Sequence, residues 1–246
     1  MGKTIIGTRI YSDPTGTYPS FSKLERWVGQ GLLHSDLLVI ATDSANYEKI
    51  SNLETVRSAV TKIIVTISDI SQNFVRPLNH ILEIALHQRA DALIYQSIEI
   101  DAQPHQIQSL RHHLDEQTLV VGAKIVEEHG SSRGRVPLTG WDSPWNTLAI
   151  WNPKKLGMIG FLPISGSLHT DVPGGAEEVA VISLLQKISS KSHLAKLVDV
   201  GPINWDVNFD SEWRLKYHQQ KLRSKSQRAA AQLEALGISP GFLSIL

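Results

Sequence analysis

Cysteine is missing altogether from the 246 residues. Disulfide frameworks, thiolate metal sites and thiol nucleophiles are thereby excluded, and a reducing compartment is the simplest setting. Net charge is missing too, since 24 Lys and Arg balance 24 Asp and Glu. A general nucleic-acid binder carries a basic excess, so nucleic acid is not an expected partner. No apolar run approaches the length of a membrane span, and the short run at the start is interrupted by Arg9, unlike a signal peptide. Gly2 is followed by Ile6 where a myristoylation signal needs Ser or Thr. The expectation is a soluble, cytoplasmic protein with no transmembrane segment. The motifs G-x-x-x-x-G-K-[ST], G-x-G-x-x-G and H-E-x-x-H are absent as well. P-loop hydrolysis, a dinucleotide fold and a zinc helix all lose their support.

What is present is alternation. Short apolar runs alternate with helical patterns through residues 1–125, which predicts a mainly parallel central sheet flanked by helices. Strands are expected at 4–10, 36–42, 62–67, 92–97 and 119–125, and helices at 20–33, 53–60, 73–88 and 104–114. The run DLLVIAT at 36–42 is apolar almost throughout, as in a strand buried on both faces. Beyond residue 125 the pattern is less regular. Residues 129–140 read as a mobile loop, 141–151 as an aromatic stretch, and 153–158 as a short helix. A Gly/Pro turn at 172–175 leads into a nearly all-apolar helix at 176–188. A strand at 197–200 and one long basic helix at 211–236 complete the pattern. No repeat, low-complexity tract or linker divides the chain, so one α/β domain is expected.

Open parallel sheets bind ligands beyond the carboxyl ends of their strands. There the chain offers Arg9, Asp43, Asp69, and Glu99 with Asp101. The last two, one residue apart, are placed to converge on a hard divalent cation bridging a nucleotide diphosphate; solvated acids or helix caps are the plainer alternative. His169 is a further candidate metal or phosphate contact. In Gly174-Gly175-Ala176-Glu177-Glu178 the glycines let the backbone turn sharply, and the two acids fall in the first turn of a helix, where the dipole favours them. The rest of that helix is apolar and must be buried. Its start is therefore anchored, and one carboxylate is expected to face a cleft, where it can act as general base toward an alcohol. Trp145, Asn146 and Thr147 suit sugar stacking and hydroxyl pairing, although most tryptophans serve packing. The basic run Arg214, Lys216, Lys221, Arg223, Lys225 and Arg228 reads as a solvated helix face or, alternatively, a diphosphate clamp.

Four segments keep a telling order: Arg76-Pro77-Leu78-Asn79, ALIYQSIEID, PWNTLAIWNPKKLGMIGF (residues 144–161) and GGAEEVAVISLLQK (residues 174–187). Together they resemble the family-two glycosyltransferases, in which a strand ends in D-x-D, an N-T…R-x-x-L-x-x-x-G-G-F-like segment follows, and a Glu-Asp pair opens a helix. The resemblance implies a GT-A-type, Rossmann-like fold in one domain. Residues 1–125 would be the nucleotide-binding half, 126–210 the acceptor and catalytic half, and 211–246 a C-terminal basic helix. It implies transfer of a sugar from a UDP- or GDP-linked donor to a sugar or other hydroxyl acceptor, with inversion. Glu178, beside Glu177, matches the catalytic base. Arg9, Asp43, Asp69, Arg76 and Ser97 are then expected at the donor, and Trp145, Asn146 and Thr147 at the acceptor. Glu99, Asp101 and His169 would hold Mn2+ or Mg2+, and the Arg133/Arg135 loop would form a lid. Where the family has D-x-D this chain has Gln96-Ser97-Ile98, so the motif is degenerate and Glu99-x-Asp101 is a displaced substitute.

Two rival readings share the pattern. A sugar-phosphate nucleotidyltransferase would use Gly7-Thr8-Arg9 with Lys23, and a catalytically inactive nucleotide-sugar-binding protein would need only the crevice. Oligomeric state, homo-oligomer included, is open at this level.

Overall fold

A computed structural model describes residues 2–13, 16, 20–68, 73–130, 132–167, 171–209 and 211–246. Asp69 and His169, two of the expected site residues, lie outside them. The chain opens with β1 (Thr4–Ile10), α1 (Phe21–His34) and β2 (Leu37–Thr42), then α2 (Ser44–Ser51), α3 (Glu54–Arg57) and β3 (Ile63–Ile67). It continues with α4 (Arg76–His87), β4 (Ala92–Gln96), β5 (Ile100–Asp101), α5 (Pro104–His112) and β6 (Thr118–Ala123). The remainder comprises β7 (Gly134–Pro137), β8 (Leu148–Trp151), α6 (Pro153–Leu156), a 3-10 turn (Pro163–Gly166), α7 (Glu177–Ile188), β9 (Leu194–Val198), β10 (Asn204–Trp205), α8 (Glu212–Arg223), α9 (Lys225–Ala235) and β11 (Phe242–Ile245).

Among the described residues the central sheet has nine strands in the order β3-β2-β1-β4-β8-β6-β9-β11-β7. All neighbours pair in parallel except at β8, which is antiparallel to β4 and β6, and at β7, which is antiparallel to β11. Helices α4, α7 and α9 cover one face and α1 and α5 the other, each over its own apolar core. This two-sided burial is what the continuous apolar runs of β1, β2 and β6 demand. Gly7 lets α4 approach β1, because a Cβ there would lie 2.4 Å from Ile81 Cγ2.

The expected strands of the first half all form, and α1, α4 and α5 match their periodic patterns within a few residues. The second half departs further. Residues 129–140 contain an edge strand, β7, whose GRVP sequence has no alternating apolar face to announce it. β8 is four residues long and lies within the aromatic stretch. Of the expected helix at 53–60 only the four-residue α3 forms, and an eight-residue helix that the periodicity does not suggest, α2, precedes it, capped by Asp43. The long basic helix breaks at Ser224, the C-cap of α8, whose hydroxyl turns back onto the Gln220 carbonyl at 2.8 Å. Residues 242–245 return to the sheet as β11, between β9 and β7. No helix among the described residues is long and apolar enough to cross a membrane.

Candidate active site

A crevice of about 810 Å3 opens at the carboxyl ends of β1 and β4, where the parallel-sheet rule puts a ligand. One wall is the end of β4 with Ser97 and Glu99. The floor is the start of α7, and a second wall is one face of α8 and α9. Such a volume suits a nucleotide-sized ligand.

Glu177 and Glu178 sit at the floor, 5 % and 2 % exposed. They are presented by an unusual turn: Gly175 has φ +90° and Ala176 φ +52°. Gly175 is required twice over, since a Cβ there would lie 2.0 Å from Arg228 Nη1. Gly175 thus makes room for a guanidinium, whereas a Cβ at Gly174 would lie 2.1 Å from Ser167 Oγ. Ala176 carries the strain of a left-handed residue with no side-chain cap for the helix. Gln232 on α9 holds the turn, donating to the carbonyls of Pro173 and Gly175 at 2.9 and 2.7 Å and accepting from Ser165 at 2.7 Å.

The two acids have different partners. Glu177 accepts from Arg9 Nη2 at 2.9 Å, while Arg9 Nη1 donates to the Phe74 carbonyl. Burial pushes the Glu177 carboxyl up, but Arg9, then Lys221 and Lys225, outweigh it and hold it well below the usual range. Among the described residues Glu178 takes its contacts through one oxygen. Its Oε1 lies 3.2 Å from Lys225 Nζ and accepts from Ser143 Oγ at 3.3 Å. Burial lowers the Lys225 ammonium, and Glu178 and Glu177 draw it back up.

Several expected residues therefore meet. Arg9, Ser97, Glu99, Trp145, Asn146, Thr147, Glu177 and Glu178 all line this crevice. The Ser97 hydroxyl donates to the Glu99 carboxylate. The Ser97 backbone N–H reaches the Thr147 carbonyl at 2.9 Å, which ties the Asn146-Thr147 segment to the end of β4.

Other expected residues lie elsewhere. Asp101 is outside the lining, and its carboxylate accepts from Gln30 and Gln103 at 2.5 and 3.0 Å, so it does not converge with Glu99. Asp43 caps α2 and accepts from the Ser12 N–H at 3.2 Å, which makes it a support for a lining residue and not a lining residue itself. Arg76 is exposed in the first turn of α4, away from the lining. Arg135 belongs to β7 and stacks on Phe242 at 4.2 Å, and neither it nor Arg133 borders the crevice that the lid was expected to cover. Lys23 pairs with Asp206 at 3.1 Å, outside the lining.

Trp145 offers no free face to a sugar. His129 stacks on it with ring centroids 3.9 Å apart, and Lys225 Nζ lies 3.9 Å from its centroid. The wholly buried His129 accepts from the Ile125 N–H at 3.2 Å and donates to the Ser143 carbonyl at 2.8 Å, which defines a neutral ring. Burial holds its pKa down at about 3. The unfolded chain binds this proton near pH 6.5 and the folded one does not, so stability falls as pH drops below that value. The loss is expected to steepen from about 0.7 kcal/mol per pH unit at pH 6.5 toward about 1.4 near pH 5. Denaturant unfolding of the wild type and His129→Asn checks this: the variant is expected to show the flatter slope, and equal slopes would remove the assignment.

Sequence reasoning misses how the basic run divides. Lys221, Lys225 and Arg228 line the crevice with Arg214, while Lys216 and Arg223 do not. The signal is present in the spacing, since positions 214, 221, 225 and 228 recur on one helical face.

No family model matches this chain, and no curated protein matches it. Solved structures do, and they identify the fold as GT-A-type. One is a mannosyltransferase of Pyrobaculum calidifontis in complex with GDP-Man and Mn2+, 13 % identical over 96 % of this chain and 75 % of that one, with a TM-score of 0.58. Another is the 4-diphosphocytidyl-2C-methyl-D-erythritol synthase of Anaerococcus prevotii, at 11 % identity over 90 % and 97 % of the two chains and a TM-score of 0.55. GalNAc-T7 with UDP, GalNAc and Mn2+ matches at 13 % identity and a TM-score of 0.55, over 76 % of this chain but only 41 % of that one.

Proposed function

We propose that this chain is a glycosyltransferase that binds a UDP- or GDP-linked sugar in the crevice and passes the sugar to a hydroxyl acceptor with inversion. The observation that carries this reading is the shared crevice, with Glu178 on its floor and Glu99 on its wall. Glu178 takes the acceptor proton through the carboxylate oxygen that Lys225 and Ser143 leave open. The Arg9–Glu177 pair fixes the floor, and Asn146 and Thr147 meet the acceptor.

The mannosyltransferase and GalNAc-T7 structures contain Mn2+, which bears on cofactor use here. Among the described residues no three His, Asp or Glu side chains gather into a cage. Glu99 is one carboxylate at the end of β4, and this fits a cation that arrives with a diphosphate, since Mg2+ binds through one or two carboxylates plus substrate phosphates. Bound there, the cation would balance charge on the leaving diphosphate.

The erythritol synthase shares the fold and supports a second reading, nucleotidyl transfer. The partnership of Lys23 with Asp206 weighs against it. Incubation with UDP- and GDP-sugars and Mn2+ separates the two: free nucleoside diphosphate is the expected product, and pyrophosphate formed from a nucleoside triphosphate and a sugar phosphate would overturn the reading.

A further inference from the structure

Lys221 has no part in the proposed chemistry, yet it stands in the crevice wall. It projects from the last turn of α8, its Nζ 5.7 Å from the Phe74 ring centroid and 5.2 Å from that of Tyr217. Its ammonium makes no hydrogen bond or ion pair with any described residue. The nearby carboxylate, Glu177, is already engaged by Arg9 at 2.9 Å. The remaining charged neighbours, Arg9, Lys225 and Arg228, are cations, and burial together with Arg9 pushes the Lys221 ammonium down to about 8. Lys221 is half-buried, and the crowding of like charges around its ammonium favours an anion joining them.

Two more groups in the lining point the same way. Asn146 Nδ2 and Arg228 Nε are buried and have no acceptor among the described residues. Lys221 thus turns an unanswered donor to the crevice, and Asn146 and Arg228 hold further unanswered donors just beneath the lining. Phosphate-type anions supply many acceptor oxygens and no obligatory donor, which is the complement this wall lacks.

We infer that Lys221 is the anion-binding group of the crevice and takes the diphosphate of its ligand directly, without needing a divalent cation. The diphosphate follows from the donors alone; only the attached nucleoside rests on the proposed function.

Titration calorimetry in EDTA tests this with inorganic pyrophosphate, UDP, GDP and the free nucleosides, on the wild type, Lys221→Met and Lys221→Arg. Lys221→Met is expected to lose about tenfold or more in affinity for pyrophosphate and for the preferred nucleoside diphosphate, the scale of one charge-assisted hydrogen bond. Lys221→Arg is expected to keep most of that affinity, and nucleoside binding should not change. Ligand-free Lys221→Met should melt no lower than the wild type, because it relieves the repulsion among Lys221, Arg9, Lys225 and Arg228. Pyrophosphate and nucleoside diphosphate binding that is unaltered by Lys221→Met, or absent from the wild type in EDTA, would overturn the inference. Pyrophosphate binding through Lys221 with no binding of UDP or GDP would keep the clamp and sink the donor reading. Nucleoside diphosphate binding indifferent to Lys221→Met would do the reverse.

Discussion

Glu178→Gln is expected to lower turnover by about 10²- to 10⁴-fold, the usual contribution of a positioned general base. The substitution keeps the shape of the side chain and its contact with Ser143, but removes the basicity that an acceptor hydroxyl needs. Nucleoside diphosphate affinity should persist, because the change alters none of the unanswered donors of Lys221, Asn146 and Arg228. Glu177 is the poorer candidate for the same role. Burial raises its pKa, but Arg9 and the neighbouring lysines override this and stabilise the ionised form, which weakens it as a base. Steady-state rates with the donor identified by product analysis, measured beside donor affinity, check the assignment. Turnover equal to the wild type would remove Glu178 from the chemistry.

Arg9→Met is expected to destabilise the fold by about 3 kcal/mol, the lower end for loss of one partner of a buried ion pair, because the Arg9 side chain is 28 % exposed. Glu177 would remain at the crevice floor with its principal partner gone, and Lys221 makes no ion pair with it. The Phe74 carbonyl would lose its donor as well. Adding Glu177→Gln to Arg9→Met should recover most of the loss, since the uncompensated charge disappears. Denaturant unfolding of the two single variants and the double variant measures the coupling. Additive losses would show that the pair is not the source of the effect.

The first half of the molecule is legible in the sequence because its strands are buried on both faces and its helices are amphipathic, so composition and period agree. β1, β2 and β4 follow directly from TIIGTRI, LLVIAT and ALIYQ. The second half is harder for reasons that are local. β8 reaches its place by pairing antiparallel between two parallel strands, which no short sequence window encodes. β7 and β11 pair across a long stretch of chain, and GRVP carries too little apolar pattern to signal an edge. In the site, the strand ends and the start of α7 point to Glu99 and Glu178. Asp101 does not join them, because one of its two side-chain partners, Gln30, comes from a helix distant in sequence. Trp145 looks suited to sugar stacking until His129 and Lys225 are seen on its faces, an arrangement set by tertiary packing alone.

The position of β11 bears on how the protein is made. Residues 242–245 fill the slot between β9 and β7, so β9 keeps a bare parallel edge until they have been synthesised. Until then β7 lacks its one sheet neighbour among the described residues, and the α8–α9 wall has no strand beyond it to tether it. An emerging chain in that condition offers unpaired backbone to other chains, and its yield should depend on how long synthesis from β9 to β11 takes.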